Sequence, residues 1–517
     1  MNGAELFVKI LEENKINYVC GVTGDFEIPL TKAIMNSKLD NIQVMHEQNG
    51  AFVASAINRV SNKLQAVCYS TLGPGALNMI GGVANSHFDR VPLLAFSPQT
   101  EGQHQYVDLV SLYKPVTKYA RELKSKPYEF SLFVKDAIRI ARSEIPGSCF
   151  LSLPLSGLNS EVEDCFGYSD GNIDYPLTPT YINTNQKVEE IITKINSAKL
   201  PILIVGNLAI RYNSNVSTFV EKTGLPIVTT FQGKNTISKK HKNNIGVLSR
   251  HSAKSILDKS DLLIFFGYDQ VEGLGLNEEK AIVIDDFFPE LLITNKIVKR
   301  DFSSFIKKNK VKLPKNKPLK YGIKMEQLIS YLNRYMNEDD IIVSDVGLHK
   351  QFIGLYAKPR CLFSNGLSYM GYSIPTAIGA QIAEPEKRIV CIIGDGGFLM
   401  NHQELATIQR MNLPIKILVI NNGSYGLVER AQKQKIGKTK TFGTWLRTFH
   451  SGIDEITEID FNFLNIARGY DIFASNVITL YKDLNCLEDI LRRKRPELHE
   501  VKVIYNELPW ERQTTHR

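Results

Sequence analysis

Short apolar runs alternate with segments of helical periodicity along most of this 517-residue chain. The apolar runs have the length of strands, and the segments between them are long enough for helices. This alternation is typical of βαβ units, in which a helix connects two parallel strands. The sequence therefore predicts an α/β fold built from doubly wound parallel sheets.

The alternation falls into three blocks, and ~150 residues per domain also suggest about three domains. We predict an N-terminal domain over residues 1–170, a central domain over 186–320 and a C-terminal domain over 321–517. Stretches rich in proline, asparagine or lysine, at 175–185 and 307–320, are predicted to be linkers. The expected strands are 18–22, 42–45, 65–70, 92–96 and 149–153, then 202–205, 227–230, 262–266 and 281–284, then 341–344, 361–363, 388–393 and 415–420.

Composition excludes several classes of protein. Hydrophobic residues make up 43% and charged residues 22%, which indicates a folded chain. The net charge of +8 is partly concentrated in 307–320, where no aromatic residue interleaves the lysines, so no nucleic-acid partner is expected. Seven cysteines without a C-x-x-C pair predict buried, reduced thiols. Neither a signal peptide nor a membrane span is evident, which predicts a cytoplasmic location away from membranes.

The strongest chemical signal lies at 388–424. A strand runs into Gly394-Asp395-Gly396-Gly397, a helix is expected over 401–411, and the next strand ends in Asn421-Asn422-Gly423-Ser424. Because parallel strands end at the same edge of a sheet, Asp395 and Asn422 are expected to meet. Their side-chain oxygens and a backbone carbonyl near Ser424 would suit a hard divalent cation.

The same edge is predicted to bind a diphosphate. Gly394, Gly396 and Gly397 let the backbone approach the phosphates, and a helix N-terminus favours their charge. His349 follows the strand 341–344 and could donate to the same group. The alternative is that these motifs are only a tight turn and a loop. The central block lacks G-x-G-x-x-G after its first strand, so no dinucleotide site is inferred there.

The stretch 394–422 resembles the thiamine diphosphate motif of the family that includes acetolactate synthase, pyruvate decarboxylase and benzoylformate decarboxylase. The resemblance extends over almost the whole chain. It implies thiamine diphosphate and Mg²⁺ as cofactors, a pyrimidine-binding N-terminal domain and a diphosphate-binding C-terminal domain. It also implies a homodimer or homotetramer with active sites between subunits.

The resemblance assigns the cofactor-activating carboxyl to Glu47, in Met45-His46-Glu47-Gln48-Asn49. Read alone, a glutamate here is more often a first-turn residue favoured by the helix dipole. The loop 71–78 resembles the glycine loop near the pyrimidine, and 364–371 resembles the segment that bends the cofactor. The resemblance thereby assigns further cofactor contacts to Gly73, Asn78, Asn365, Met370 and Tyr425.

Three stretches, 104–119, 266–272 and 362–380, resemble the flavin-independent acetolactate synthases, so FAD is not expected. Gln105 in the first stretch is assigned to the neighbourhood of the substrate. The loop Gly24-Asp25-Phe26 instead resembles pyruvate decarboxylases, in which the aspartate relays protons, and Asp25 with His104 could do so here. Alternatively, Asp25 caps the following helix.

Taken together, the resemblance implies a 2-oxo acid carboligase that converts two pyruvates into 2-acetolactate and carbon dioxide. The alternatives are a decarboxylase that releases an aldehyde, a carboligase with another acceptor, and a homologue without catalytic activity. After carbon dioxide leaves, a proton relay favours aldehyde release, whereas a dry pocket that holds a second carbonyl favours ligation.

Overall fold

The computed structural model describes residues 1–100, 102, 104–123, 127–143, 145–161, 185–248, 254–272, 278–285, 288–314, 322–437, 444 and 461–504. Contacts divide the chain into two compact units. Unit 1 contains Met1–Pro179, Gly366–Glu386 and Asn401–Leu413, and unit 2 contains Thr180–Asn365, Lys387–Met400 and Pro414–Arg517.

Unit 1 is built on a parallel sheet in the order β2-β1-β3-β4-β6-β5. The order reverses between β1 and β3, so the ends of these two strands flank a switch point, where open α/β sheets bind ligands. The strands are β1 (Tyr18–Gly21), β2 (Asp40–Gln43), β3 (Ala66–Tyr69), β4 (Leu93–Gln99), β5 (Tyr119–Glu122) and β6 (Ser148–Pro154).

Helices cover this sheet with apolar faces, such as Phe7, Leu11 and Val134, which are buried in one core. The first helix begins at a capping box formed by Asn2 and Glu5, which satisfies two backbone N–H groups. The helices are α1 (Gly3–Glu13), α2 (Ile28–Met35), α3 (Glu47–Ser61), α4 (Pro74–Phe88), α5 (Leu109–Tyr113), α6 (Pro127–Arg142), α7 (Leu155–Asn159), α15 (Ser373–Ala383) and α17 (Leu405–Arg410).

Unit 2 contains two parallel sheets. The central sheet has the order β11-β10-β7-β8-β9, and its switch point lies between β7 and β10. Its elements are α8 (Asn185–Ser197), β7 (Pro201–Val205), α9 (Asn213–Thr223), β8 (Ile227–Thr229), β9 (Asn244–Val247), α10 (Lys254–Leu257), β10 (Leu262–Phe266), β11 (Ala281–Val283), α11 (Phe288–Ile293) and α12 (Ser303–Asn309).

The C-terminal sheet of unit 2 has the order β13-β12-β14-β15-β17-β16, with its switch point between β12 and β14. Every paired strand is parallel, and the apolar runs of β14 and β15 are buried throughout. Its elements are α13 (Met325–Tyr335), β12 (Ile341–Ser344), α14 (Leu348–Tyr356), β13 (Arg360–Phe363), β14 (Ile389–Gly394), α16 (Asp395–Asn401), β15 (Lys416–Asn421), α18 (Gly426–Lys435), α19 (Phe463–Gly469), β16 (Phe473–Ile478), α20 (Cys486–Arg492) and β17 (Glu497–Lys502).

Short 3-10 helices complete both units. They span Lys114–Val116 in unit 1, Asn207–Tyr212, Gly233–Thr236, Gln270–Glu272, Glu278–Lys280 and Tyr481–Asn485 in unit 2, and His402–Glu404 in unit 1. The segment that follows β7 is therefore a 3-10 helix and not a glycine-rich phosphate loop.

The predicted α/β class with parallel sheets is confirmed, and several element predictions are wrong in detail. The strand expected at 42–45 is β2, which ends at Gln43. The helix expected over 401–411 is instead part of three short helices, because Asn401 leaves the helical region with φ −139°. α16 ends there, a 3-10 helix spans His402–Glu404, and α17 follows. The first of them, α16, already begins at Asp395. Strands β5, β9, β16 and β17 were not predicted, because polar residues interrupt their apolar pattern.

The predictions about the cysteines and the linkers agree with the structure in part. Five cysteines are buried free thiols and Cys486 is partly buried, while Cys165 lies outside the described residues. The stretch predicted as a lysine-rich linker begins inside α12, so its first residues are helical, and 315–320 lies outside the described part. Most of the linker predicted at 175–185 also lies outside it. Among the helices described, none combines the length and apolarity needed to cross a membrane.

Candidate functional site

The carboxyl edge of the unit 1 sheet carries Glu47 as the first residue of α3. This helix begins here because the His46 side chain accepts a hydrogen bond from the Gln48 backbone N–H at 3.3 Å and so caps the first turn. Glu47 is partly exposed, and Asn78 Nδ2 donates to its Oε2 at 3.0 Å. The structure thus brings two of the predicted site residues into contact.

The loop after β3 approaches the same carboxylate. A Cβ placed on Gly75 would lie 3.3 Å from Glu47 Oε1 and 2.9 Å from Thr71 Cγ2. Gly73 adopts φ +60°, and a Cβ there would lie 2.8 Å from Gln105 Cβ. Gln105 itself has φ +65°. The structure therefore places Gln105 against the glycine loop, beside the residues predicted to surround the pyrimidine.

Asp25 and His104 are both exposed on loops of unit 1. Within the described residues, no hydrogen bond or ion pair joins their side chains, and Asp25 is not a cap for α2, whose N-cap is Glu27. Glu27 was not among the predicted site residues. Its side chain is fully buried, with Oε1 accepting from the Gly24 backbone N–H and Oε2 lacking a partner.

Buried polar contacts hold the start of α3 in place. Asn49 Nδ2 donates to Glu404 Oε1 at 2.9 Å, and the same oxygen accepts from the Met45 backbone N–H at 2.9 Å. Burial raises the pKa of the Glu404 carboxyl above its ordinary value, and these donors partly offset that effect. This network was not predicted from the sequence, because Glu404 lies 355 residues from Asn49 in the chain.

The segment assigned to bending the cofactor also approaches α3 within unit 1. Tyr369 donates from its hydroxyl to Gln48 Oε1 at 2.8 Å, and Met370 beside it is partly buried. Gly371 adopts φ +78°, and its carbonyl accepts from Asn401 Nδ2 at 2.9 Å. Met370 thus lies in a turn in which the residues on both sides, Tyr369 and Gly371, form hydrogen bonds with helix residues.

In unit 2, the ends of β14 and β15 meet around Asp395. Its Oδ2 accepts from the backbone N–H groups of Asn422 at 3.1 Å and Gly423 at 2.7 Å. Its Oδ1 accepts from the Gly396 N–H at 2.8 Å. Burial raises the pKa of Asp395 to about 6, because these donors compensate only part of the lost hydration. The predicted meeting of Asp395 and the Asn422 loop is confirmed by these distances.

Hydrogen bonds between side chains hold this loop in place. Asn422 Nδ2 donates to Ser424 Oγ at 3.0 Å, and that hydroxyl donates to Glu429 Oε2 at 2.7 Å. Since Asn422 uses its amide nitrogen in this way, its Oδ1 is left to accept or coordinate. The Tyr425 ring lies against Gly396, where an added Cβ would come within 2.3 Å of Cε1.

His349 lies at the switch point, in the first turn of α14 after β12. The imidazole is buried, bonds to the Asp345 backbone carbonyl and leaves Nε2 without a partner. Burial lowers its pKa to about 4. A Cβ on Gly394 would lie 3.4 Å from His349 Cε1, so the ring faces the glycine motif as predicted.

Asn365 follows β13 in unit 2, and its Oδ1 accepts from Lys350 Nζ at 3.1 Å. Lys350 is almost fully buried and also donates to the Ser364 carbonyl at 2.7 Å. Lys350 was not among the predicted site residues. A lysine one residue after His349, on a helix that opens at a strand end, is the signal that could have found it.

Three family models match the chain in order. The N-terminal TPP binding domain of thiamine pyrophosphate enzymes matches residues 1–118, the central domain matches 188–292 and the C-terminal TPP binding domain matches 345–501. The models cover the elements that carry Glu47 and Asn78 in unit 1, and Asp395 and His349 in unit 2.

Curated relatives cover nearly the same extent. The acetolactate synthase large subunit of Lactococcus lactis is 28% identical over 98% of this chain and 93% of its own. The probable acetolactate synthase large subunit of Methanococcus aeolicus is 30% identical over 85% of this chain and 83% of its own. The acetolactate synthase isozyme 1 large subunit of Escherichia coli is 27% identical over 97% and 94%, respectively. The chain therefore belongs to the thiamine pyrophosphate enzyme family, as an enzyme of acetolactate synthase-like function that depends on thiamine diphosphate.

Proposed function

We propose that this enzyme condenses two pyruvates into 2-acetolactate with loss of carbon dioxide, with Mg²⁺ bound beside thiamine diphosphate. The proposal rests on two groups of residues, one in each unit, that lie at the carboxyl ends of parallel strands. Unit 1 presents the Glu47 carboxylate with Asn78 on it, and unit 2 presents Asp395 with the Asn422 loop folded around it. Bound thiamine diphosphate supplies a carbon nucleophile and an electron sink for the decarboxylation.

The residues of unit 2 fit a cation and a diphosphate. A cation at Asp395 would stabilise the carboxylate that burial now disfavours, and the Asn422 amide and the Ser424 carbonyl add oxygen ligands. His349 Nε2 is a buried atom without a partner, and the charge of a diphosphate would favour its protonated, donating form. The carboxyl of Glu47 would hold a proton at the pyrimidine N1′.

The other cofactor contacts are part of the same proposal. Gly73 and Asn78 would flank the pyrimidine, and Gly394, Gly396 and Gly397 would admit the diphosphate. The remaining contacts are assigned to Asn365, Met370 and Tyr425. Gln105, which lies against Gly73, would contact the substrate.

We infer that the central sheet binds no flavin. At its carboxyl edge, Glu272 Oε1 accepts from the Asn207 N–H at 3.0 Å, and Asp285 Oδ1 accepts from the Gly267 N–H at 2.6 Å. Two acidic side chains therefore occupy backbone donors that a dinucleotide's phosphates would need. Visible absorbance of the purified protein tests this inference, because bound flavin would colour it.

The decisive experiment replaces Glu47 by Gln, which keeps the shape of the side chain and removes its ionisable group. We expect acetolactate formation from pyruvate to fall by roughly 10²-fold or more, the usual size of an acid–base contribution. Binding of thiamine diphosphate should stay within a few-fold of the parent, because the diphosphate contacts are intact. The measurements are product analysis and cofactor titration.

The matched control is Glu13→Gln, since Glu13 is an exposed glutamate in α1. It should leave both product formation and cofactor binding unchanged. Full activity of Glu47→Gln would contradict the assignment of Glu47. A parent protein that binds cofactor but makes no product from pyruvate would contradict the proposed donor.

A second candidate function is aldehyde release. It is favoured by Asp25, which is exposed on the loop after β1, at the same sheet edge as Glu47. If Asp25 relays protons with His104, Asp25→Asn should nearly abolish acetaldehyde formation. Under the proposed carboligation we expect acetolactate to remain the main product in this variant. The control is Asp40→Asn, an exposed aspartate at the start of β2 and thus at the opposite edge.

We also infer a homo-oligomer, a dimer or tetramer, with active sites between subunits, and a cytoplasmic location. The relatives whose printed names are acetolactate synthase large subunit support an assembly of subunits. The domain boundaries 1–170, 186–320 and 321–517 stay a prediction.

A further inference from the structure

Unit 2 contains a cavity of about 140 Å³ between its central sheet and its C-terminal sheet. The turn after β8, the start of β9 and the residues that lead into β13 form its walls. At ~30 Å³ per water molecule the cavity holds a few waters or one small ion. It is smaller than the ~300 Å³ at which sites for larger organic ligands begin.

Positive charge dominates the walls of this cavity. Lys234 and Lys239 line it from the central sheet, and Lys358 and Arg360 line it from the C-terminal sheet. One carboxylate, Glu338, also lines it. That carboxylate is already engaged, since it accepts from Ser238 Oγ at 2.8 Å and pairs with Lys240 Nζ at 2.9 Å.

The two lysines of the central sheet bond only to neutral acceptors. Lys234 is almost fully buried, and its Nζ lies 3.0 Å from Cys361 Sγ and 3.4 Å from the Ile353 carbonyl oxygen. Lys239 Nζ donates to the Leu355 carbonyl at 3.0 Å. In the part of the chain that the structure describes, neither ammonium forms an ion pair with a carboxylate. Burial, reinforced by the charge of Lys234, lowers the pKa of Lys239 to about 7.

A buried acceptor without a partner lies in the same wall. Asn244 is 4% exposed, and its Oδ1 accepts no hydrogen bond, although its Nδ2 donates to the Ser238 carbonyl at 3.1 Å. This oxygen is covered by neighbouring atoms, so a ligand in the cavity does not reach it. The ligand that fits these walls must therefore accept from the lysines.

We propose that this cavity binds a phosphate-sized oxoanion held by Lys234, Lys239 and Lys358. Inorganic phosphate has this chemistry, because its charged oxygens accept hydrogen bonds from lysines. The site is separate from Asp395 and His349, and the inference does not depend on the proposed reaction.

The test is calorimetric titration of the full chain, saturated with thiamine diphosphate and Mg²⁺ so that phosphate cannot occupy the cofactor site. We expect one inorganic phosphate per chain in addition to the cofactor. Lys239→Gln and Lys358→Gln should each weaken phosphate binding by about tenfold or more, as loss of a charge-assisted hydrogen bond does. Lys358 is exposed, so its variant keeps the test valid if Lys239→Gln folds poorly. The matched control is Lys242→Gln, an exposed lysine of the same segment that does not line the cavity.

The absence of phosphate binding would overturn the proposal, as would equal binding by the parent and both cavity variants. Two supporting outcomes separate the sources of the phosphoryl group. Displacement of phosphate by glycerol phosphate would indicate a larger phosphomonoester, and failure to displace it would indicate the free ion.

Discussion

At the scale of single residues, a group of basic side chains around one buried carboxylate contributes to the stability of unit 2. Glu497 in β17 is fully buried, and four basic side chains contact its carboxylate: Lys416, Arg493, Arg495 and His499. Burial alone would raise the pKa of Glu497, but hydrogen bonds from His499, Arg493 and Arg495 outweigh it and lower the pKa to about 2. This carboxylate is therefore ionised in the folded protein at neutral pH.

We expect Glu497→Gln to destabilise unit 2 by about 3–5 kcal/mol at pH 7, because it leaves the buried Lys416 ammonium without its counter-charge. A carboxyl whose pKa is lowered on folding stabilises above its ordinary pKa of 4.5, and this stabilisation is lost as the pH falls towards about 2. The melting temperatures of parent and variant should thus differ at pH 7 and converge in acid. Glu488→Gln, which breaks only an exposed pair with Arg492, is the control and should change little. A constant difference at all pH values would contradict the role given to the charge.

At the scale of elements, the position of α3 depends on glycines in its neighbours. A Cβ on Gly379 of α15 would lie 2.3 Å from the Val53 carbonyl oxygen, and one on Gly82 of α4 would lie 2.4 Å from the Gln48 carbonyl oxygen. Real Cβ atoms do not approach backbone oxygens so closely, so both helices contact α3 through backbone. Because α3 begins at Glu47, this packing also fixes the position of Glu47, the candidate catalytic residue.

We expect Gly379→Ala to lower stability by about 1–3 kcal/mol, since one added methyl group must push α15 away from α3. Thermal unfolding monitored by circular dichroism measures the effect. Gly469→Ala is the control, because a Cβ there meets nothing within 4 Å and alanine favours a helix. A melting temperature of Gly379→Ala equal to that of the parent would show that the two helices can separate without cost.

At the scale of the whole molecule, the resemblance places active sites between subunits, and mixing two inactive variants tests this. Glu47→Gln and Asp395→Asn should each be inactive alone. If one site combines Glu47 of one chain with Asp395 of another, mixed dimers contain one intact site. Activity should then recover to about one quarter of the parent after full subunit exchange. If each site were built from one chain, mixing would restore no activity. Assay of the mixture at increasing protein concentration distinguishes a site shared between chains from a site within one chain.

Local patterns were sufficient to predict most of the fold and one contact within a candidate site. Strands β7, β10 and β12 were predicted within a residue, because each is a continuous apolar run bounded by polar residues. The contact between Asp395 and the Asn422 loop was predicted because two successive strands of a βαβ unit are parallel and end at the same edge. Such a unit is recognisable from a short stretch of sequence. The resemblance that assigned Glu47 likewise depended on contiguous residues.

The sequence by itself thus determined the fold class and, through the family resemblance, the dependence on thiamine diphosphate, since both follow from contiguous segments. The site residues named from the same segments stay predictions. Only the tertiary structure decided which polar residues are buried and what they contact. Strand β17 contains Glu497 and His499, which look like surface residues until Lys416 is brought to them from another strand. The Asn49–Glu404 contact and the lysine cavity likewise join distant segments. A buried polar group is tolerated only when a partner satisfies it, and that partner is chosen by packing and not by sequence proximity.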